Sequence, residues 1–129
     1  MERHIHETLI QIGHRMGFAH LTTNAQGMLH LSMAQTGELF IEIQQSHIFL
    51  YLLNPFPVIN FKLITTAYIF CEAKANYNFI TNPVLRDEDM LGFAIKIREA
   101  DFTTMSFESA IDQLVDMTMR LKQFADNFE

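Results

Sequence analysis

The sequence contains little that would support catalysis or a covalent framework. It has one cysteine, Cys71, among 129 residues, and no tryptophan. A single cysteine excludes an intramolecular disulfide and a zinc site built on several thiolates, and it is typical of a reducing compartment. The length is enough for one domain, 1–129, with its own hydrophobic core.

Positive charge is also scarce. Nine Lys and Arg stand against fifteen Asp and Glu, which gives a formal net charge of −6. The basic residues are scattered along the chain, which argues against nucleic acid as a partner and against a polybasic membrane patch. Phe and Met are abundant in contrast, at twelve and eight residues. Methionine recurs on surfaces that accept varied partners, although we expect most of these side chains in the core.

No apolar run is long enough, without interruption, to predict a membrane span. The most apolar segment, 48–71, is broken by the Asn54-Pro-Phe-Pro joint, by Asn60 and by Lys62. The polar N-terminus has no apolar stretch of the kind found in secretory signals. We therefore expect an intracellular protein without membrane insertion, in which this segment forms a strand, a break and a helix.

Three strand-length runs lie between Met28 and Leu53, separated by short polar breaks, as in an antiparallel meander. The first two runs alternate apolar and polar residues. Phe40 interrupts the polar face of the second run, and Phe49 and Tyr51 make the third run apolar on both faces. The pattern predicts a sheet that needs cover on both faces.

A helix is predicted before this meander. Residues 2–16 carry Ile5, Leu9, Ile12 and Met16 on one stripe, which predicts an amphipathic first helix.

Two strands and a long helix are predicted in the last third of the chain. A short strand is expected at Tyr77–Thr81, a solvated turn at 86–89 and a clearly alternating strand at Met90–Arg98. The last helix is expected to begin at Ser106 as its N-cap and to extend to Phe128. The order helix-β-β-β-helix-β-β-helix predicts an α+β domain with a twisted antiparallel sheet flanked by helices.

The segment from about Val58 to Ala75 is predicted to be a helix by its length, although its residue types also suit a strand. It is apolar nearly all round, and a sheet in a domain of this size can cover only one side of it. We expect the other side to form a subunit interface, unless flanking loops cover it. The interface side carries Phe61, Ile64, Tyr68 and Cys71.

No motif indicates an enzyme, a metal site or a cofactor. The six histidines include no i, i+4 pair of the His-Glu-x-x-His type, and the acidic run Asp87–Asp89 lacks the Gly and the distal Glu of a calcium loop. Cys71 has apolar neighbours, as expected of a buried structural thiol. We expect no catalytic, metal or cofactor-binding residue, and a function based on contact with other proteins.

One stretch gives the chain a family resemblance. The sequence Leu29-His-Leu-Ser-Met-Ala-Gln-Thr-Gly-Glu-Leu39, together with Cys71-Glu-Ala-Lys and the helix at 114–121, resembles the class I type III secretion chaperones with the SycE/CesT-like fold. Within that class the chain is most similar to the SycN type. The Asn54-Pro-Phe-Pro joint and the Phe-rich second helix depart from the pattern.

The resemblance implies a non-enzymatic chaperone, cytoplasmic or peripheral at the inner face of the bacterial inner membrane. Such proteins bind the N-terminal segment of a secreted effector or gatekeeper (YopN-like) protein in extended form, around a homodimer or heterodimer. The SycN type pairs with a second small chaperone of the YscB kind. Dimerisation in the class uses the second helix.

An extended client needs a large apolar contact area and can also add a strand to a sheet edge. For client binding we expect two groups of residues, namely Ile5, Leu9 and Ile12 on the first helix and Phe40, Phe49 and Tyr51 on the sheet. Two other functions stay open. One is a regulatory adaptor of the secretion apparatus that binds a folded partner, and the other is a small ligand-binding α+β domain.

Overall fold

The computed structural model describes residues 2–16, 27–72 and 78–127. Its strands form one antiparallel sheet with the order β1-β2-β3-β5-β4. The predicted order of elements and the α+β class are confirmed. The elements are α1 (Glu2–Met16), β1 (Met28–Met33), β2 (Gly37–Gln44), β3 (His47–Pro55), α2 (Phe61–Glu72), β4 (Thr81–Arg86), β5 (Met90–Arg98), a 3-10 turn (Glu99–Asp101) and α3 (Thr104–Asp126).

One face of the sheet, the inner face, packs against all three helices. Side chains on this face form rows across the strands. In one row, Ile41 of β2 lies opposite Leu50 of β3, which in turn lies opposite Ile95 of β5. Full burial of such an aliphatic side chain contributes about 1.5–3 kcal/mol. The helices contribute Ile5, Leu9 and Ile12 from α1, Leu63 and Ala67 from α2, and Phe107, Ala110, Leu114, Met117 and Leu121 from α3.

The opposite, outer face carries Phe40, Phe49 and Tyr51, which are half-buried, and Leu53, which is fully buried. None of these residues belongs to the core shared with the helices. Among the described residues, the helices therefore cover the sheet on the inner face only. The apolar side chains of β3 on the outer face are therefore not covered by α1, α2 or α3.

Strands β3 and β5 approach each other closely at Gly92. A Cβ added to Gly92 would lie 1.8 Å from the carbonyl oxygen of Leu52 and 3.0 Å from the Cα of Leu53, so β3 and β5 approach closely at this point. The Arg86 guanidinium of β4 lies 4.8 Å from the centre of the Phe40 ring of β2. In a flat sheet the three strand spacings between β2 and β4 would amount to about 14 Å. The Arg86 side chain thus extends from β4 across the outer face to the Phe40 ring of β2.

The position of β4 differs from the prediction. The strand runs over Thr81–Arg86 and shares only Thr81 with the predicted strand at Tyr77–Thr81, whose Tyr77 lies outside the described residues. Pro83 lies within the strand and pairs with Phe93. A proline is tolerated here because β4 is an edge strand that pairs with β5 alone.

Helix α2 begins at Phe61, three residues later than predicted. The side-chain oxygen of Asn60 accepts a hydrogen bond from the backbone N–H of Leu63 at 2.9 Å, as an N-cap does. Pro57 disfavours a helical conformation at Phe56, which argues against an earlier start of the helix. The predicted end of the helix at Ala75 lies outside the described residues.

The N-cap of α3 is Thr103, so the assignment to Ser106 was wrong by one turn. The Thr103 hydroxyl accepts a hydrogen bond from the Ser106 N–H at 3.0 Å, and the Ser106 hydroxyl accepts one from the Thr103 N–H at 2.9 Å. The two residues form a reciprocal capping box, in which Ser106 takes the third helical position.

We expect Thr103→Ala to lower the free energy of unfolding by about 1 kcal/mol, because the substitution leaves the Ser106 N–H of the first turn without its cap. Urea denaturation of the purified protein measures this loss. Met105→Ala is the matched control, since Met105 is 82% exposed in the same turn and should change stability by less than about 0.5 kcal/mol. Equal losses in the two variants would contradict the capping role.

Candidate protein-binding surfaces

Helix α2 presents an apolar side to solvent. Leu63 and Ala67 point into the core, whereas Phe61 is 85% exposed, Tyr68 is 56% exposed and Ile69 is 57% exposed. The 3.6-residue period places these two groups on opposite sides of the helix. An isolated aromatic side chain on a surface is ordinary, but three large apolar side chains on twelve residues form a patch.

The patch extends beyond α2 in the chain. The structure describes nine large apolar side chains that are exposed, and six of them fall between the end of β3 and the start of β5. Helix α2 packs beside the edge strand β4, which supplies Leu85, and Ile80 directly precedes this strand. We call this region the α2–β4 face. It consists of Val58, Phe61, Tyr68, Ile69, Ile80 and Leu85.

The four residues predicted for dimerisation are not equally exposed. Phe61 and Tyr68 belong to the α2–β4 face, whereas Ile64 and Cys71 are half-buried at its border. Burial raises the pKa of the Cys71 thiol, and although a hydrogen bond to Thr81 opposes the rise, the nearby Glu72 carboxylate adds to it. The thiol is therefore kept protonated and is a weak nucleophile.

An aromatic cluster lies on the outer face of the sheet, centred on Phe40. The His30 ring stacks on Phe40 with 4.4 Å between centroids and an interplanar angle of 7°. Tyr51 lies 6.1 Å away on the neighbouring strand, and the Arg86 guanidinium covers the ring at 4.8 Å. Cations placed over aromatic rings are attracted by the negative ring face.

Phe49 continues this cluster along β3. The Lys96 ammonium lies 5.8 Å from the centre of the Phe49 ring, and the His47 ring lies 6.5 Å from it. We call Phe40, Phe49 and Tyr51, with the side chains around them, the outer-face cluster. It combines half-buried rings with cationic and histidine side chains, a composition that is typical of protein-binding surfaces.

The first-helix stripe is not part of any surface. Ile5, Leu9 and Ile12 are 2%, 0% and 1% exposed and lie in the core. None of the three is available to a client in this structure, because the sheet and α3 already cover them. The exposed apolar residue of α1 is Ile10, at 53%, which lies off the stripe that the periodicity identifies.

The segment that carries the family resemblance forms the tight turn between β1 and β2. Gln35 and Gly37 adopt positive φ angles of 68° and 132°. The Asn54 side chain donates a hydrogen bond to the carbonyl oxygen of Thr36 at 2.8 Å, and a Cβ on Gly37 would lie 2.4 Å from that same amide nitrogen. Glycine is required at this position for both conformation and space. The turn and the Asn54-Pro-Phe-Pro joint are thus one packed unit.

Neither a metal site nor a membrane span is found in the described part of the chain. Its His, Cys, Asp and Glu side chains form no group of three placed to hold an ion. None of its helices has both the length and the apolar character that crossing a membrane requires.

Solved structures share the fold described above. The type III secretion chaperone SycH of Yersinia pestis, solved with a stable fragment of YscM2, matches with a TM-score of 0.68 and 14% identity over 89% of this chain and 97% of that chain. SchA, in the HopA1–SchA chaperone–effector complex, matches with a TM-score of 0.74 and 10% identity over 93% and 94%. YbjN from E. coli, a candidate transcription regulator, matches with a TM-score of 0.62 and 14% identity over 95% and 92%.

No protein-family model matches this sequence, and neither does any of the curated proteins. The structural matches span nearly the whole of each chain at low identity, and they establish the fold. The protein has the α+β fold of the type III secretion chaperones.

Proposed function

We propose that this protein is a cytoplasmic chaperone of type III secretion that binds a segment of a secreted protein. The observation that carries the proposal is the apolar surface that the chain leaves open on α2 and on the outer face of the sheet. In the same fold, SycH and SchA are solved with bound protein partners. The side chains of these two surfaces suit contact with a polypeptide better than chemistry.

The α2–β4 face is the proposed dimer interface, with Phe61 and Tyr68 at its centre and Ile64 and Cys71 at its border. An interface core is apolar and poor in charge, and Lys62 and Glu72 are the charged residues of α2. We propose a second small chaperone of the YscB kind as the partner, since the turn at 33–37 resembles the SycN type. A homodimer is the alternative form of the same interface.

The outer-face cluster and the sheet edges are the proposed client site. The strand order makes β1 and β4 the edges of the sheet, and an extended segment can pair with such an edge. Phe40, Phe49 and Tyr51 offer rings on which apolar client side chains can pack. We propose that the client is the N-terminal segment of an effector or of a gatekeeper protein of the YopN kind.

Co-purification from the native host, followed by mass spectrometry, tests the proposed function. The proposal predicts recovery of a second small chaperone and of a secreted protein that is held through its N-terminal region. Recovery of neither, from a chain that behaves as a monomer in light scattering, would contradict it.

We expect the double variant Phe40→Ala, Tyr51→Ala to weaken binding of the identified client segment by roughly 1,000-fold, since each aromatic anchor contributes about 2 kcal/mol, or about 30-fold. Isothermal titration with the segment measures the change. Met119→Ala is the control, because Met119 is an exposed apolar residue on α3 at 44%. Unchanged affinity in the double variant would remove the outer-face cluster from the client site.

A regulatory adaptor that binds a folded partner is the second candidate. The match to YbjN favours it, because the same fold occurs in a protein described as a candidate transcription regulator. The two functions differ in the state of the partner before binding. Circular dichroism of the isolated partner segment distinguishes them, since a chaperone client is unfolded when free and an adaptor's partner is already folded.

A further inference from the structure

A cavity lies at one end of the sheet, where the β2–β3 turn, the end of β5 and the start of α1 meet. Its volume is about 520 Å³. It lies outside the α2–β4 face, and among its described lining residues His47 also lies beside Phe49 of the outer-face cluster. The lining residues are His4, Ser46, His47, Arg98, Glu99 and Ala100.

Glu99 is the unusual member of this lining. The residue is 94% buried, and its Oε2 atom is shielded from solvent and has no hydrogen-bond partner among the described residues. The backbone on both sides is fixed, because the Glu99 N–H donates to the Ser46 carbonyl at 2.8 Å and the Glu99 carbonyl accepts from the Phe102 N–H at 3.1 Å. A buried carboxylate oxygen without a donor is costly, and it indicates a missing partner.

The basic and histidine side chains of the wall are bonded elsewhere. The Arg98 guanidinium donates to Asp101 from Nε and from Nη2, both at 2.9 Å. His4 Nε2 lies 2.9 Å from the carbonyl oxygen of Phe102, and His47 Nδ1 lies 3.2 Å from the Ser46 hydroxyl. Among the described side chains that line the cavity, none donates a hydrogen bond to Glu99 Oε2.

We propose that this cavity receives a lysine or arginine side chain of the bound client, whose charged group pairs with the Glu99 carboxylate. A basic side chain has the charge and the hydrogen-bond donors that pair with a carboxylate, and an apolar stem that can lie along the cavity wall. The net charge of −6 favours the approach of a cationic segment. This inference rests on the proposed chaperone function and adds a recognition element to it.

The position of the cavity gives the client a sequence pattern. His47, Phe49 and Tyr51 alternate along β3 and point to the outer face, at spacings of about 6.8 Å. His47 also lines the cavity. An extended client laid along β3 would therefore place apolar side chains against Tyr51 and Phe49 and the basic side chain two residues further on. The expected pattern is apolar-x-apolar-x-Lys/Arg, in either chain direction.

A titration followed by amide chemical shifts tests the pocket without any client. N-acetyl-L-arginine amide should give saturable shifts at Ser46, Glu99 and Ala100, and N-acetyl-L-citrulline amide, its neutral isostere, should bind at least tenfold more weakly. Glu99→Gln should abolish the difference between the two probes. The melting temperature of Glu99→Gln should equal or exceed that of the wild type, because the variant removes an unpaired buried charge.

Several results would overturn the proposal. Equal responses to arginine and citrulline amides in the wild-type protein would do so whether or not the variant folds. A marked fall in the melting temperature of Glu99→Gln would assign the carboxylate to the fold, and tighter binding of putrescine than of arginine amide would assign the pocket to a free diamine.

The client segment itself separates this inference from the proposed function. Replacing its Lys and Arg residues by Gln should weaken binding to the wild type at least tenfold and leave binding to Glu99→Gln unchanged. A segment that binds equally well without its basic residues would refute the pocket and leave the chaperone function standing. If the pocket bound arginine amide but the protein retained no secreted segment, the pocket would stand and the chaperone function would be refuted.

Discussion

Phe61→Asp is expected to convert the protein from a dimer to a monomer while leaving its helix content unchanged. Phe61 is 85% exposed within one chain, so a carboxylate there is solvated and harmless to the fold. In an apolar interface the same carboxylate would be buried without a partner, which costs several kcal/mol. Tyr68→Asp, about two turns further along α2, is expected to have the same effect.

Size-exclusion chromatography with light scattering measures the change in mass, and circular dichroism checks the helix content. Met105→Asp is the matched control, because Met105 is 82% exposed at the start of α3, outside the α2–β4 face. If the native form is a heterodimer, the same variants are co-expressed with the second chaperone. Dimers of wild-type mass in both α2 variants would show that this face is not the interface.

Gly92→Ala is expected to lower the free energy of unfolding by about 3 kcal/mol or more, a large part of the total for a domain of this size. The added Cβ would meet the Leu52 carbonyl oxygen at 1.8 Å, and this atom belongs to the backbone of the neighbouring strand. No rotamer change can relieve such a clash. The strands β3 and β5 would have to separate in the centre of the sheet.

Ala94→Val serves as the control for Gly92→Ala. Ala94 lies on the same strand and the same face, where it pairs with Tyr51 and is half-buried. Valine there adds volume toward the outer face without a clash against backbone, so a loss below about 1 kcal/mol is expected. Urea denaturation compares the two. Wild-type stability in Gly92→Ala would mean that the strands do not approach as closely as described.

The predicted elements that the structure confirms are those with strong periodicity. Helix α1, the meander and β5 each bury one side, and the sequence shows this directly as a spacing of 3.6 or 2 residues. The weakly patterned β4 was placed too early. Its segment contains Asn82 and Pro83, which argue against a strand, and only its position at the sheet edge makes them acceptable.

Periodicity identifies an apolar side, but it does not say what covers that side. The stripe of Ile5, Leu9 and Ile12 and the side of α2 with Phe61 and Tyr68 looked equally suited to a partner. In the structure the first is buried by the chain itself and the second is exposed. The difference arises because one face of the sheet has a limited area. Helices α1 and α3 occupy part of it, and α2 buries only its Leu63 side there.

The burial of Glu99 likewise could not be predicted from the sequence pattern. In the sequence it is one acid in the charged stretch 96–101, where a solvated position is expected. The hydrogen bond from its N–H to Ser46 ties it beneath the β2–β3 turn, fifty-three positions away in the chain, and buries the side chain. No local pattern contains this information, because the burial is produced by a tertiary contact.

Hydrogen–deuterium exchange on the co-purified client, free and bound, is the most direct test of the chaperone function. We expect an N-terminal segment of the client to exchange rapidly when free, as an unfolded chain does, and to become protected on binding, while the rest of the client is unchanged. A client whose N-terminal segment exchanges equally fast in both states, with protection confined to an already folded domain, would contradict it.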